Sequence, residues 1–140
     1  MIVIDTNVIS ELWKAEPAPQ VLAWMDAQMI ETLYLSAITV AELRFGLAAM
    51  PAGKRRTTYL DRLEREVIPA FSGRILPFDL DASRAYAELM GVARAAGDAI
   101  GKADGYIAAS AAARGYAVAT RDTSPFAAAR LAVINPWEVS

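Results

Sequence analysis

Short apolar runs alternate along this chain with longer stretches whose apolar residues recur at helical spacing. The apolar runs predict strands at residues 2–4, 33–35, 74–78, 116–119 and 131–134. The longer stretches predict a short helix from Val8 onward and helices at residues 20–28, 37–49, 53–71, 79–96 and 103–114. This alternation predicts an α/β fold: a three-layer α/β/α domain whose central parallel sheet has four to five strands.

The size and composition of the chain fit one domain that spans residues 1–140. Of its 140 residues, 55% are hydrophobic and 21% are charged, which favours a packed core over disorder. The longest uncharged stretch, residues 32–41, is well below the roughly 18 residues of a membrane-spanning helix. The N-terminus lacks the basic start and long apolar centre of a secretory signal. We therefore expect a soluble, cytoplasmic protein without a membrane partner.

The residue types that are missing restrict the chemistry. Histidine and cysteine are both absent, so acid–base catalysis and metal binding depend on carboxylates. Sites made only of oxygen ligands select hard cations such as magnesium or manganese. The net charge of -2 gives no general attraction to phosphate, so a nucleic acid would have to bind through a local surface.

Two aspartates follow predicted strands directly. Asp5 comes after the first strand and Asp122 after the fourth, and ligands of open parallel sheets bind beyond the carboxyl ends of the strands. A structural role explains each position equally well, because Asp5 can cap the following helix and Asp122 can cap the turn at residues 123–125.

Glu42 lies in the middle of the helix predicted at residues 37–49. At helical spacing it shares a face with apolar or small residues, namely Ile38, Phe45, Gly46 and Ala49. We therefore expect a buried carboxylate, which requires a partner or a metal ion; a glutamate at the edge of the apolar face is the alternative.

Asp104 opens the helix predicted at residues 103–114. Ile107, Ala108 and Ala111 continue its face toward the sheet, and Gly105 beside it permits close backbone approach. Taken alone, Asp104 is better explained as a first-turn aspartate attracted by the helix dipole, which is worth roughly 0.3 to 1 kcal/mol.

Taken together, the four acids suggest a metal site. Two carboxylates about 4 Å apart repel by roughly 4 kcal/mol at an effective dielectric constant of 20, so a cluster requires a cation. A divalent ion also supplies a nucleophile at neutral pH by lowering the pKa of bound water. Hydroxyl and amide groups nearby could orient the acids, although capping explains them about as well: Thr6, Asn7, Ser36 and Thr120.

Other features predict no site. The segment 97–103 is too short between its glycines for a phosphate-binding loop. The basic residues of the segment 54–65 alternate with Asp61 and Glu64, so a solvated helix face is favoured over an RNA path. The three tryptophans, Trp13, Trp24 and Trp137, are interpreted as packing or dimer contacts.

The order of the four acids and the residues around them resemble the PIN domain, and within it the VapC-like toxins of the FitB type. The similarity spans nearly the whole chain. The segments that support it are residues 4–11, 35–43, 73–78, 103–109, 119–123 and 135–137.

The resemblance implies that Asp5, Glu42, Asp104 and Asp122 are the catalytic, metal-binding quartet. It implies that Thr6, Asn7 and Thr120 support this quartet in the second shell of ligands. It further implies a toxin–antitoxin ribonuclease that depends on Mg2+ (or Mn2+), forms a homodimer and is neutralised by a small antitoxin, through which alone it reaches promoter DNA. The acidic cleft suggests that an antitoxin arginine reaches into it.

Two other functions fit less well. A protein of the same fold could be catalytically weak and act with its antitoxin as a DNA-bound co-repressor, although four intact acids argue against this. A phosphatase or receiver-like domain could use Asp5 as phosphoacceptor, but a haloacid-type phosphatase needs a second aspartate where this chain has Asn7.

Overall fold

The computed structural model describes residues 1–139, and its centre is a five-stranded sheet. The strands are β1 (Ile2–Ile4), β2 (Leu33–Ser36), β3 (Ile75–Leu76), β4 (Ala117–Ala119) and β5 (Val133–Ile134). Their order across the sheet is β3-β2-β1-β4-β5, and every pairing is parallel. β1 therefore lies between β2 and β4, and all the strands end at the same edge of the sheet.

Helices connect these strands. They are α1 (Thr6–Leu12), α2 (Pro19–Asp26), α3 (Ala37–Ala48), α4 (Lys54–Arg62), α5 (Ile68–Ala70), α6 (Leu80–Ala95), α7 (Lys102–Ala112) and α8 (Thr123–Ala128). Local signals in the sequence set several of their ends. The Ser36 hydroxyl accepts a hydrogen bond from the Ile38 N–H at 3.1 Å, and the Asp79 carboxylate accepts one from the Ala82 N–H at 2.9 Å.

The sheet separates two apolar layers, because successive side chains of a strand point to opposite faces. In β1, Ile4 packs into one layer with residues of α1 to α4, whereas Val3 packs into the other with residues of α6 and α7. Helices thus cover both faces, and the predicted three-layer α/β/α architecture is confirmed. No helix within residues 1–139 is long and apolar enough to span a membrane.

The structure differs from the predicted elements in three places. The first helix begins at Thr6 rather than Val8, and residues 123–125, expected to form a turn, begin the helix α8. Pro125 is compatible with that helix because it lies in the first turn. The single helix predicted at residues 53–71 is divided into α4, a π-helical turn at Leu63–Val67 and α5.

Candidate active site

A cleft of about 410 Å³ opens where β1 ends, and three of the four predicted acids line it: Asp5, Glu42 and Asp104. We call this the acid cleft. Its other lining residues include Thr6 and Asn7 from α1. The convergence follows from the sheet order, since β1 lies between β2, which leads into α3, and β4, which leads toward Asp122.

Asp5 is the acid that the fold holds most firmly. Only 4% of the residue is exposed. Its Oδ1 accepts a hydrogen bond from the Thr6 N–H at 2.8 Å, and its Oδ2 accepts one from the Thr120 hydroxyl at 2.8 Å and a longer one from Asn7 Nδ2 at 3.4 Å. Asp5 also occupies the N-cap position of α1, so the predicted capping role is present together with the cleft position.

Burial raises the pKa of the Asp5 carboxyl from its usual 3.8 to about 6. The hydrogen bonds from Thr120 and Thr6 lower this pKa, whereas the negative charges of Asp104 and Glu42 raise it. Among residues 1–139, no lysine or arginine forms an ion pair with Asp5. The Asp5 carboxylate is therefore buried near other negative charges and has no ion-pair partner among these residues.

Thr120 and Asn7 form hydrogen bonds with Asp5 and with each other. Thr120 follows β4, and the pairing of Ile4 with Ala119 places it beside Asp5. Its hydroxyl accepts hydrogen bonds from Asn7 Nδ2 at 3.2 Å and from the Asp122 N–H at 3.1 Å, while it donates to Asp5. Asn7 Oδ1 accepts a hydrogen bond from the Arg121 N–H at 3.2 Å. This network connects the ends of β1 and β4.

Glu42 is in the cleft, but the expectation that it is buried was wrong. The buried face of α3 consists of Thr39, Val40, Leu43 and Leu47, whereas Phe45 is 74% exposed and Glu42 is also exposed. The helix is apolar on nearly all sides, so spacing alone did not identify the face toward the sheet. Glu42 Oε1 accepts a hydrogen bond from the Thr6 hydroxyl at 2.7 Å, which fixes it at the cleft.

Asp104 reaches the cleft from the first turn of α7. A Cβ atom on Gly105 would lie 3.0 Å from Met90 Sδ and 3.1 Å from Tyr86 Cε2, so glycine permits the close packing of α7 on α6. Burial raises the pKa of the Asp104 carboxyl, and the charges of Asp122 and Glu42 raise it further.

Asp122 lies outside the cleft lining and is exposed. It occupies the N-cap position of α8, but its side chain makes no capping hydrogen bond. Its charge raises the pKa of Asp104, so the two carboxylates are neighbours. The capping role expected of Asp122 is thus absent. Its negative charge nevertheless acts on Asp104, which lines the acid cleft.

Comparison with known proteins decides the family. The model of the PIN domain matches residues 2–131. The chain belongs to the PIN-domain family. Two relatives are the VapC ribonuclease Y4jK of Sinorhizobium fredii, 77% identical over 99% of both chains, and toxin FitB of Neisseria gonorrhoeae, 50% identical over 98% of this chain and 99% of the relative. A solved structure of FitAB bound to an IR36 DNA fragment has a TM-score of 0.96 at 48% identity, covering 100% of this chain and 98% of that one.

The donor groups of this PIN domain fit a hard cation that keeps much of its water. Among residues 1–139, no three acidic side chains lie close enough together to enclose a metal ion. Magnesium, however, is usually held by one or two carboxylates and several waters. Asp5 and Asp104 both have a raised pKa in the absence of a cation, which is the electrostatic condition that a divalent ion relieves.

Five further residues line the cleft that the sequence did not single out as a group: Ser10, Glu11, Lys14, Arg121 and Trp137. Glu11 is only 5% exposed, pairs with Lys14 at 2.9 Å and accepts the Ala18 N–H at 2.9 Å, and these hydrogen bonds lower its pKa. The Arg121 guanidinium lies 5.2 Å from the ring centre of Trp137. Trp137, predicted as a packing or dimer contact, packs against the core and also contacts Arg121. Glu11 lies one helical turn after Asn7, and this spacing could have predicted that both residues face the cleft.

A second, larger groove of about 700 Å³ adjoins the acid cleft and shares four lining residues with it: Thr6, Ser10, Lys14 and Glu42. Away from the cleft its walls are mostly apolar, formed by Leu43, Leu47 and Met50 of α3 and the following turn and by Trp13 and Tyr59, and Arg55 is their one cationic residue. We call it the apolar groove. A bound chain could therefore lie along α3 and reach Glu42.

Proposed function

We propose that this PIN domain is the toxin of a toxin–antitoxin pair and hydrolyses RNA phosphodiester bonds with the help of Mg2+ or Mn2+. One observation supports this most strongly: Asp5 is buried, burial and the charges of Asp104 and Glu42 raise its pKa to about 6, and no lysine or arginine of residues 1–139 forms an ion pair with it. Such an arrangement costs stability in the empty protein and is useful where a divalent ion binds. The ribonuclease and toxin names of the relatives agree with it.

In this proposal Asp5 and Asp104 hold the ion, and Glu42 and Asp122 complete the negative surroundings. The bound ion supplies charge neutralisation at phosphorus and a water nucleophile of lowered pKa. Thr6 and Thr120 orient the acids, since Thr6 bonds Glu42 at 2.7 Å and Thr120 bonds Asp5 at 2.8 Å.

Two cations at the cleft are suited to the substrate. Lys14 and Arg121 line the cleft together with the acids, and both carry donors for phosphate oxygens. Glu11 holds Lys14 from below, and the Trp137 ring supports the Arg121 side chain. We infer that Lys14 and Arg121 bind both the phosphate next to the ion and the leaving group. Hydrolysis then depends mainly on positioning and charge stabilisation.

We further propose that the protein forms a cytoplasmic homodimer and binds a small DNA-binding antitoxin. The apolar groove suits an antitoxin segment, and its junction with the acid cleft at Glu42 lets a basic side chain, arginine above all, enter between the carboxylates. The DNA-bound FitAB complex agrees with access to promoter DNA through the antitoxin.

The decisive experiment incubates purified, antitoxin-free protein with single-stranded and structured RNAs in magnesium, in manganese and in chelator. We expect cleavage only with a divalent ion and almost none with Asp104→Asn. Asp98→Asn is the matched control, because it removes one exposed carboxylate outside the cleft. A wild-type protein that is inactive with every divalent metal, yet binds operator DNA with its antitoxin, would favour the co-repressor function instead.

A further inference from the structure

A third depression, of about 660 Å³, lies near the acid cleft and the apolar groove, and its charged lining residues are all cationic. It is formed by the end of α1 and one face of α4, and we call it the basic cleft. The basic cleft shares Lys14 with the acid cleft, and Trp13, Lys14, Arg55 and Tyr59 with the apolar groove. Its defining residues are Trp13, Lys14, Lys54, Arg55, Tyr59 and Arg62.

The positive charge of the basic cleft is available because nearby acids are engaged elsewhere. Glu64 forms a two-point ion pair with Arg44 of α3, with distances of 2.8 and 3.0 Å, and Asp61 pairs with Arg65 at 3.1 Å. Within residues 1–139, neither Lys54 nor Arg62 forms an ion pair. In the sequence, the alternating charges of this segment favoured a solvated helix face. In the structure, Glu64 and Asp61 pair with Arg44 and Arg65, and no acidic residue lines the basic cleft.

Aromatic rings accompany these cations. Trp13 and Tyr59 are stacked, with ring centres 5.7 Å apart and planes inclined by 21°, and the Arg55 guanidinium lies 5.6 Å from the Tyr59 ring centre. Both rings are only partly buried. Cations that follow a phosphate backbone, next to aromatic rings that receive bases, are the combination with which proteins bind single strands.

We propose that the basic cleft binds the single-stranded RNA that flanks the scissile phosphate. Lys54 and Arg62 bind backbone phosphates, and the Trp13–Tyr59 stack receives a base. Lys14, at the junction, passes the strand to the acid cleft. The observation that favours RNA over a peptide is charge: no carboxylate lines the cleft, and of its four cations only Lys14 forms an ion pair within residues 1–139, with Glu11, in a chain whose net charge is -2. This inference rests on the proposed ribonuclease function.

The test compares two double variants of equal charge change. Lys54→Gln with Arg62→Gln alters the basic cleft without touching residues of the apolar groove or the acid cleft, and Arg84→Gln with Arg94→Gln, both exposed on α6, is the control. Binding of a fluorescent ten-nucleotide oligouridine is measured by anisotropy in the Asp104→Asn background, so that the probe stays intact. A second probe carries three consecutive abasic sites.

We expect Kd of the basic-cleft variant to rise roughly tenfold at low salt and its logarithmic salt dependence to fall by about 1.4, for two phosphate contacts at about 0.7 each. The control should bind as the parent does. The abasic probe should bind the parent roughly fivefold or more weakly. With Asp104 restored, the basic-cleft variant should show a raised KM for the decamer at unchanged kcat, and unchanged cleavage of a dinucleotide.

The outcomes separate this inference from the function on which it rests. If the wild type cuts RNA and the basic-cleft variant binds and cuts like the control, the inference is wrong and the ribonuclease stands. If Lys54 and Arg62 are needed for binding but the wild type cuts nothing, the RNA site is supported and the proposed function fails. Loss of antitoxin affinity with unchanged RNA affinity would assign the cleft to a peptide and overturn the inference.

Discussion

The inner and outer acids of the acid cleft are held in different ways. Asp5 is buried at the end of β1 and accepts hydrogen bonds from Thr6, Thr120 and Asn7. Glu42 and Asp122 are exposed, and the Asp122 carboxylate makes no hydrogen bond with residues 1–139. The fold thus holds Asp5 by burial and several hydrogen bonds, Glu42 by a hydrogen bond from Thr6, and the Asp122 side chain by no capping hydrogen bond.

This difference also bears on the spacing of the acids in the cleft, since no three acidic side chains of residues 1–139 lie close enough together to enclose a metal ion. Like charges repel, and an exposed side chain can reduce that repulsion by moving into water, whereas Asp5 cannot. Asp5 responds through its pKa instead. Asp104, partly buried in the first turn of α7, is intermediate between the two kinds.

The largest expected effect is on catalysis. Asp5→Asn and Asp104→Asn should each lower kcat/KM for RNA more than about 100-fold, because they remove ion-holding groups and even the partners of such groups typically contribute 10- to 100-fold. Glu42→Gln keeps an oxygen for the Thr6 hydroxyl and should lose less. The measurement is single-turnover cleavage in manganese. Equal losses for all three variants would erase the distinction between inner and outer acids.

Thr120→Val should show how much the hydrogen bonds of Thr120 contribute to stability and to metal affinity. It removes the hydroxyl that donates to Asp5 and accepts from Asn7 and the Asp122 N–H, so the free energy of unfolding should fall by about 1 to 3 kcal/mol. Metal affinity should fall about 10- to 100-fold. Urea unfolding and titration calorimetry measure the two quantities. Thr123→Val, at the start of α8, is the control, and an equal loss there would contradict the assignment.

The sequence was sufficient for the sheet because its five apolar runs are short and separated by helical periodicity. The acids after β1 and β4 were expected at one edge of the sheet, but the strand order β3-β2-β1-β4-β5, which departs from the order along the chain, was not predicted. It was insufficient for Glu42, since α3 is apolar around most of its circumference and Phe45 gave no sign of being 74% exposed. It was also insufficient for the basic cleft, because only the fold shows that Glu64 turns to Arg44.

The buried acid should also give the metal-free protein a distinctive pH dependence. The folded-state pKa of Asp5, about 6, lies above the unfolded 3.8, so the folded protein binds the proton more tightly. The contribution of Asp5 to stability is therefore present below about pH 4 and is lost as pH rises to about 6, by about 3 kcal/mol. In chelator, the stability of wild type relative to Asp5→Asn should decline across this window and then level off.

Bound metal should reverse this effect, so that the wild type is more stable than Asp5→Asn. At a hundredfold excess over its dissociation constant, a bound ion adds about 2.7 kcal/mol to the wild type and less to Asp5→Asn. Thermal melting in chelator and in manganese tests both halves. If Asp5→Asn melts well below wild type in chelator and still cuts RNA, Asp5 supports the fold as the α1 cap and not the chemistry.

The smallest expected effect concerns the outermost acid, Asp122. Because its exposed side chain makes no capping hydrogen bond, Asp122→Asn should change the free energy of unfolding by less than about 0.5 kcal/mol. Its charge nevertheless raises the pKa of Asp104, so the variant should lower that pKa, measured by carbon NMR titration of the Asp104 carboxyl in chelator. Asp98→Asn controls for the loss of one exposed charge. A destabilisation above about 1 kcal/mol with an unchanged Asp104 titration would mean that Asp122 acts as the α8 cap after all, and the acid cleft would then consist of three carboxylates.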